Sequence, residues 1–104
     1  MKVIKMTMRD MDEVLEYTIK NPKAIHNQTF EMIKFAHSSS KKSKSISLFK
    51  FKLTDDEDLD EAILNVEKHE WELALELGLK FYEELEEYEM CTKVNELLNK
   101  IKNQ

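Results

Sequence analysis

The amino-acid sequence predicts an α+β domain that is mostly α: a two-stranded sheet, about residues 2–8 and 46–53, covered by four or five helices and ending in an antiparallel helical hairpin. Three observations carry this. Two short stretches alternate apolar and polar residues as half-buried strands do, and the other apolar residues recur at spacings of three and four. The chain of 104 residues suffices for one hydrophobic core and not for two. A single domain over 1–104 is expected, with a basic strand-and-helix half, 1–53, and an acidic helical half, 54–104.

From Lys2 to Met8, Ile4, Met6 and Met8 fall on one side and Val3, Lys5 and Thr7 on the other, the period of a strand. Asp10 followed by Glu13 is a capping pattern, and Met11, Val14, Leu15, Thr18 and Ile19 then predict a helix to about Lys20. Asn21 and Pro22 end it and open the next, Asn as N-cap and Pro as the pre-organised first residue. Ile25, Thr29, Met32, Ile33 and Ala36 give that second helix its stripe, widened by Phe30 and Phe35. Ser38 to Ser45 has no apolar residue and reads as a solvated, lysine-bearing loop. In 46–53, Phe49, Phe51 and Leu53 alternate with Lys50 and Lys52, so a second strand is expected to pair with the first. Two strands alone are marginal in water, which requires helices on their apolar face.

The remainder reads as helical throughout. Thr54 is placed to cap a helix whose first turn carries Asp55, Asp56, Glu57 and Asp58, charges that the helix dipole favours. Leu59, Ala62, Ile63 and Val66 make its stripe; Leu73, Leu77 and Phe81, with Trp71, Leu75 and Tyr82 alongside, make the next. No Gly or Pro divides helices 58–69 and 70–86, so a turn near His69 competes with one continuous kinked helix. A turn at Glu86-Glu87-Tyr88 then leads to a last helix on Val94, Leu97, Leu98 and Ile101.

The segment Trp71 to Ile101, with Ala74-x-x-x-Gly78-x-x-Phe81 and Glu87-Tyr88-x-Met90-Cys91-x-x-Val94, resembles a tetratricopeptide helical hairpin. The resemblance occurs once, has Met90 in place of the family's small residue, and lacks the proline after the second helix. It implies an antiparallel helix pair and no solenoid, which needs about three repeats.

Hydrophobic residues make up 41% and charged residues 36% of the chain, an ordinary core under an unusually ionic surface. No apolar run approaches the roughly 18 residues of a membrane span, and the first residues alternate charge with apolar side chains unlike a signal peptide. No membrane partner is expected. Cys91 stands alone, which fits a reducing cytoplasm and a buried thiol acting as a small apolar side chain. Phe, Tyr, Met, Ile, Asn and Lys total 42 residues while Gly, Ala, Arg and Pro total 7, the skew of an AT-rich bacterium or of a phage or mobile element living in one. With Gly78 as the sole glycine, neither a phosphate-cradling loop nor a nucleophile elbow can be built.

Few residues stand in a pattern that carries chemistry. Asp56-x-Asp58-x-Asp60 with Glu67 has the spacing of calcium ligands, but Glu61 occupies the position where such a loop needs glycine. His26, His37 and His69 lack the i, i+4 spacing of a helical zinc site, and His37 beside Ser38 has neither strained turn nor orienting acid. No carboxylate pair stands out among so many. The expectation is a protein without metal or cofactor and without enzymatic activity.

Charge is the main clue. Residues 1–53 carry 11 basic against 5 acidic side chains, and residues 54–104 carry 5 against 16. The leading expectation is a small protein-binding regulator or adaptor, of the kind a phage or mobile element uses to inhibit a host factor, presenting an acidic helical face of Glu83, Glu84, Glu87, Tyr88 and Trp71. The alternative is nucleic-acid binding through Lys41, Lys42, Lys44, Lys50 and Lys52, interleaved with Phe49 and Phe51. A third use is homo-oligomerisation, basic patch to acidic face, around an apolar patch of Trp71, Tyr82 and Tyr88.

Overall fold

A computed structural model describes residues 2–39 and 44–103. The architecture is α+β, with the elements β1 (Ile4–Met8), α1 (Met11–Lys20), α2 (Pro22–Ser38), β2 (Ser45–Leu53), β3 (Glu61–Glu67), a 3-10 turn (Lys68–Glu70), α3 (Trp71–Glu84) and α4 (Tyr88–Lys102). The sheet has three strands, not two, in the order β1-β2-β3. The central β2 runs parallel to β1, with Ile4 beside Phe49 and Met8 beside Leu53, and antiparallel to β3, with Phe49 beside Leu64 and Lys52 beside Glu61.

Strand alternation sorts the side chains. Met8, Ile46, Phe49, Phe51, Leu53 and Val66 are buried on the face that the helices cover. Lys5, Thr7, Ser47, Lys50, Lys52, Glu61, Ile63 and Asn65 fall on the other face, where none is buried. A bulge between Ser47 and Phe49 shifts the register by one residue, which is why Ile46 and Phe49, three apart, share the inner face. The inner rings interlock: Phe49 stacks on Phe51 with centroids 5.9 Å apart, and Tyr17 of α1 meets both edge-on at 6.0 and 6.1 Å. Gln28 of α2 is buried, and its amide donates to Lys2 O at 3.1 Å and Leu48 O at 3.0 Å, tying the start of β1 to the middle of β2.

Local signals explain the first two helices. Asp10 caps α1, its carboxylate accepting from Glu13 N at 3.0 Å, while the Glu13 carboxylate takes Arg9 Nε at 2.7 Å instead of closing the capping box. Pro22 opens α2, but Asn21 makes no side-chain cap to it; the Asn21 amide turns back to Tyr17 O at 3.0 Å and closes α1. Phe35, expected to widen the α2 stripe, is 51% exposed.

The second half departs from the expectation of continuous helix. Residues 61–67 are a strand, so the helix expected over 58–69 is replaced by β3 and a 3-10 turn at 68–70, while the helix expected over 70–86 is present as α3. Thr54 caps no helix; Asp56 Oδ1 accepts from Asp58 N and Leu59 N, both at 2.9 Å, in a turn between the strands. Along α3 the buried line is Trp71, Leu75, Gly78 and Tyr82, whereas Leu73 and Leu77 are 60% and 54% exposed. The hairpin itself is present. α3 and α4 pack together, α4 burying Cys91, Val94, Leu97 and Leu98, and Lys102 reaches Glu76 at 3.3 Å across the pair. Gly78, however, serves α2: a Cβ there would meet His26 Nδ1 at 3.4 Å and Tyr82 at 3.9 Å.

The basic and acidic halves of the chain meet in space. Lys52 lies beside Glu61 in the sheet, and Lys23 of α2 bonds Glu87 at 2.6 Å.

Candidate functional site

Between α1 and β3 runs an apolar groove of about 310 Å³, lined by Met11, Val14, Leu15 and Thr18 on the helix side and by Phe51, Ala62 and Leu64 on the sheet side. Its walls reach the surface: Leu15 is 55% exposed, Ile63 on the rim 48%, and Ile19, one turn beyond Leu15, 77%. The local reason is geometric. α1 buries Val14 and half-buries Tyr17 against the sheet, and residues one position away on a helix point about 100° aside, so Leu15 overhangs the edge and not the core.

The edge is open. Among the described residues β3 has β2 as its one neighbour in the sheet. Leu53 N donates to Asp60 O at 2.9 Å and Lys68 N to Lys44 O at 2.7 Å, so the even-numbered backbone groups face β2. Alternation then turns the N–H and C=O groups of Glu61, Ile63 and Asn65 outward. Beyond that, Glu67 N is closed off by the Glu70 carboxylate at 3.0 Å. At the Glu61 end of the edge stands the turn 55–61, in which six of seven residues are acidic.

A second surface is the uncovered sheet face. Lys5 and Lys50 are direct partners across β1 and β2, and Lys52 follows Lys50 on the same side. With Thr7 they border a depression of about 590 Å³ that also receives Asp60 and Glu61. None of these lysines lies within ion-pair distance of a carboxylate among the described residues. Lys44 is elsewhere, beside His69 and Trp71, and Lys41 and Lys42 lie outside the described residues.

The acidic helical face expected from the sequence is divided. Glu83, Glu84 and Tyr88 are exposed around the α3–α4 turn, Tyr88 at 65%. Glu87 is half-buried, with one carboxylate oxygen bonded to Lys23 and the other buried without a partner among the described residues. Trp71 is 4% exposed, a core residue at the opposite end of α3, with Lys68 Nζ 6.0 Å from its ring centroid. Twelve positions of helix, about 18 Å, separate it from Glu83. Tyr82, the third member of the apolar patch expected for self-association, is fully buried.

Burial shifts two titratable side chains toward their neutral forms. Burial pushes the Cys91 thiol up and lowers the His26 imidazole, whose ring lies 4.7 Å from that of Phe81. Among the described residues no three His, Cys, Asp or Glu side chains gather as metal ligands, the extended backbone of 61–67 having drawn Glu67 away from Asp56, Asp58 and Asp60. No described helix is long and apolar enough to cross a membrane. Comparison with protein-family models, with curated proteins and with solved structures finds no match.

The groove was not legible as a site in the sequence, although its exposed residues were all noted as apolar. Helical spacing puts Leu15, Ile19 and Ile63 on stripes expected to be buried, whereas the fold leaves all three exposed.

Proposed function

We propose that the protein is a small non-enzymatic protein-binding regulator or adaptor that engages its partner through the α1–β3 groove and the acidic turn beside it. The observation that carries this reading is the exposure of Leu15 and Ile63 on one apolar groove, with exposed Ile19 one helical turn beyond Leu15, since contiguous apolar surface on a small domain marks interaction sites. The carboxylates of 55–61 favour a basic partner, speeding encounter more than adding affinity. The AT-rich composition suits a phage or mobile-element inhibitor of a host factor.

Nucleic-acid binding is the second reading, favoured by the row Lys5, Lys50 and Lys52 on the uncovered sheet face. Asp60 and Glu61 in the same depression weaken its field. One experiment tests both: tagged protein is incubated with bacterial lysate, with and without nuclease, beside the variants Leu15→Asp/Ile63→Asp and Lys50→Glu/Lys52→Glu. Protein partners kept after nuclease and lost in the groove variant are expected. Capture that ignores the groove variant and disappears with nuclease or with the lysine variant replaces the first reading by the second.

A further inference from the structure

We propose that the partner is an extended segment of another protein, added to the sheet as a fourth strand on the free edge of β3, with apolar side chains over the groove and a basic residue at the Glu61 end. This rests on the protein-binding reading above and fixes the form of the partner.

Backbone comes first. Glu61, Ile63 and Asn65 direct their N–H and C=O groups away from β2 into solvent, and an exposed row of this kind is a template for another strand. Edges are usually blunted by lysine, proline or shortness. β1 follows that rule, with 5 residues and Lys5 near its middle. β3 does not: its 7 residues hold Ala62-Ile63-Leu64-Asn65-Val66 without charge between Glu61 and Glu67.

Side chains then specify the guest. Strand neighbours face the same way, so guest positions beside Ala62, Leu64 and Val66 fall on the inner face, those beside Ala62 and Leu64 over the groove that Leu15 also lines. Apolar residues fit there. Guest positions beside Glu61, Ile63, Asn65 and Glu67 fall on the outer face, where an apolar residue matches Ile63 and basic residues match the two glutamates, most strongly at the Glu61 end with Asp60 adjacent.

A second copy of this chain fits less well. Joining β3 to β3 antiparallel about Leu64 would set Glu61 of each copy opposite Glu67 of the other, and would bring the acidic 55–61 turn of each close to the opposing strand.

The probe is a fluorescein-labelled peptide, Lys-Val-Thr-Val-Ile-Val-Lys, titrated into the full chain and followed by anisotropy, with amide hydrogen exchange read by NMR. Expected are saturable binding and slowed exchange at Ile63 and Asn65. Replacing both lysines with glutamate, or N-methylating the peptide amides that face β3, is expected to weaken binding by about tenfold or more. Ile63→Pro should abolish binding with little loss of fold, because the proton it removes points away from β2. If that variant unfolds, the N-methylated peptide on the unaltered protein decides. Equal binding of the N-methylated peptide, protection at residues other than those of β3, or no binding at millimolar peptide overturns strand addition. So does a dimer that peptide does not dissociate. Lysate capture that still depends on Leu15 and Ile63 would leave the broader reading standing in each case.

Discussion

Tyr82 shows how much of this small protein is decided by single buried polar atoms. Its ring is fully buried and its hydroxyl donates to Asn27 Oδ1 at 2.5 Å, joining α3 to α2. Burial, with the carboxylates of Glu87 and Glu31 adding to it, pushes the phenol up to about 12. An unfolded tyrosine ionises near 10. Between those values the native state keeps a proton that the unfolded state has lost, so rising pH favours unfolding; the contribution is intact below about pH 10 and disappears as pH rises through 12. Tyr82→Phe should therefore cost about 1 kcal/mol at pH 7 through the lost hydrogen bond, yet flatten the alkaline fall in stability. Urea midpoints at pH 7 and pH 11 check this, and parallel declines in both proteins would contradict it. The sequence marked Tyr82 as lying beside the buried stripe; nothing in it pointed to Asn27, which lies 55 residues away in the chain.

Among the elements, the α3–α4 turn was the most legible and the 54–70 stretch the least. The turn was placed at Glu86-Glu87-Tyr88 without a glycine to mark it, and the chain does reverse there. Glu87 N donates to Tyr82 O at 2.9 Å and Glu86 N to Glu83 O at 3.0 Å, a Schellman closure with Glu86 left-handed at φ 59°. A residue with a Cβ pays for that conformation, so Glu86→Gly should stabilise the fold by about 0.5–1 kcal/mol and Glu86→Val should destabilise it. Thermal midpoints of the two variants, moving in opposite directions, are the check. β3 is hidden in the sequence for a physical reason. Leu59, Ala62, Ile63 and Val66 match a helical stripe only if all four are buried, and Leu59 and Ile63 are 47% and 48% exposed. The inward residues are Ala62, Leu64 and Val66, a plain alternation masked by apolar residues on the outer face and in the turn. The same ambiguity affects α3, where apolar residues line two sides of the helix: Trp71, Leu75 and Tyr82 are buried and Phe81 packs partly buried against the core, while Leu73 and Leu77 face outward.

At the scale of the molecule, charge is segregated along the chain, and folding brings the two halves into contact. It places Glu61 beside Lys52 and Glu87 onto Lys23, and sets the acidic 55–61 turn at one end of the apolar groove. The parallel pairing of β1 with β2 has a different consequence, in the order of assembly. Only Thr54–Asp60 separates β2 from β3, whereas residues 9–44 separate β1 from β2. Closing the longer loop costs about 1.4 kcal/mol more, at roughly 0.6 kcal/mol per doubling of length. The β2–β3 pair is thus expected to form in the folding nucleus and β1 to dock afterwards. In stopped-flow refolding, Val66→Ala should slow folding, while Met8→Ala should chiefly speed unfolding; the reverse pattern would refute the order. The strand synthesised first would then be the strand placed last. Until it arrives, β2 offers a second unpaired edge beside Phe49 and Phe51, so refolding at high concentration should lose material to aggregation that the native protein, with β1 in place, resists.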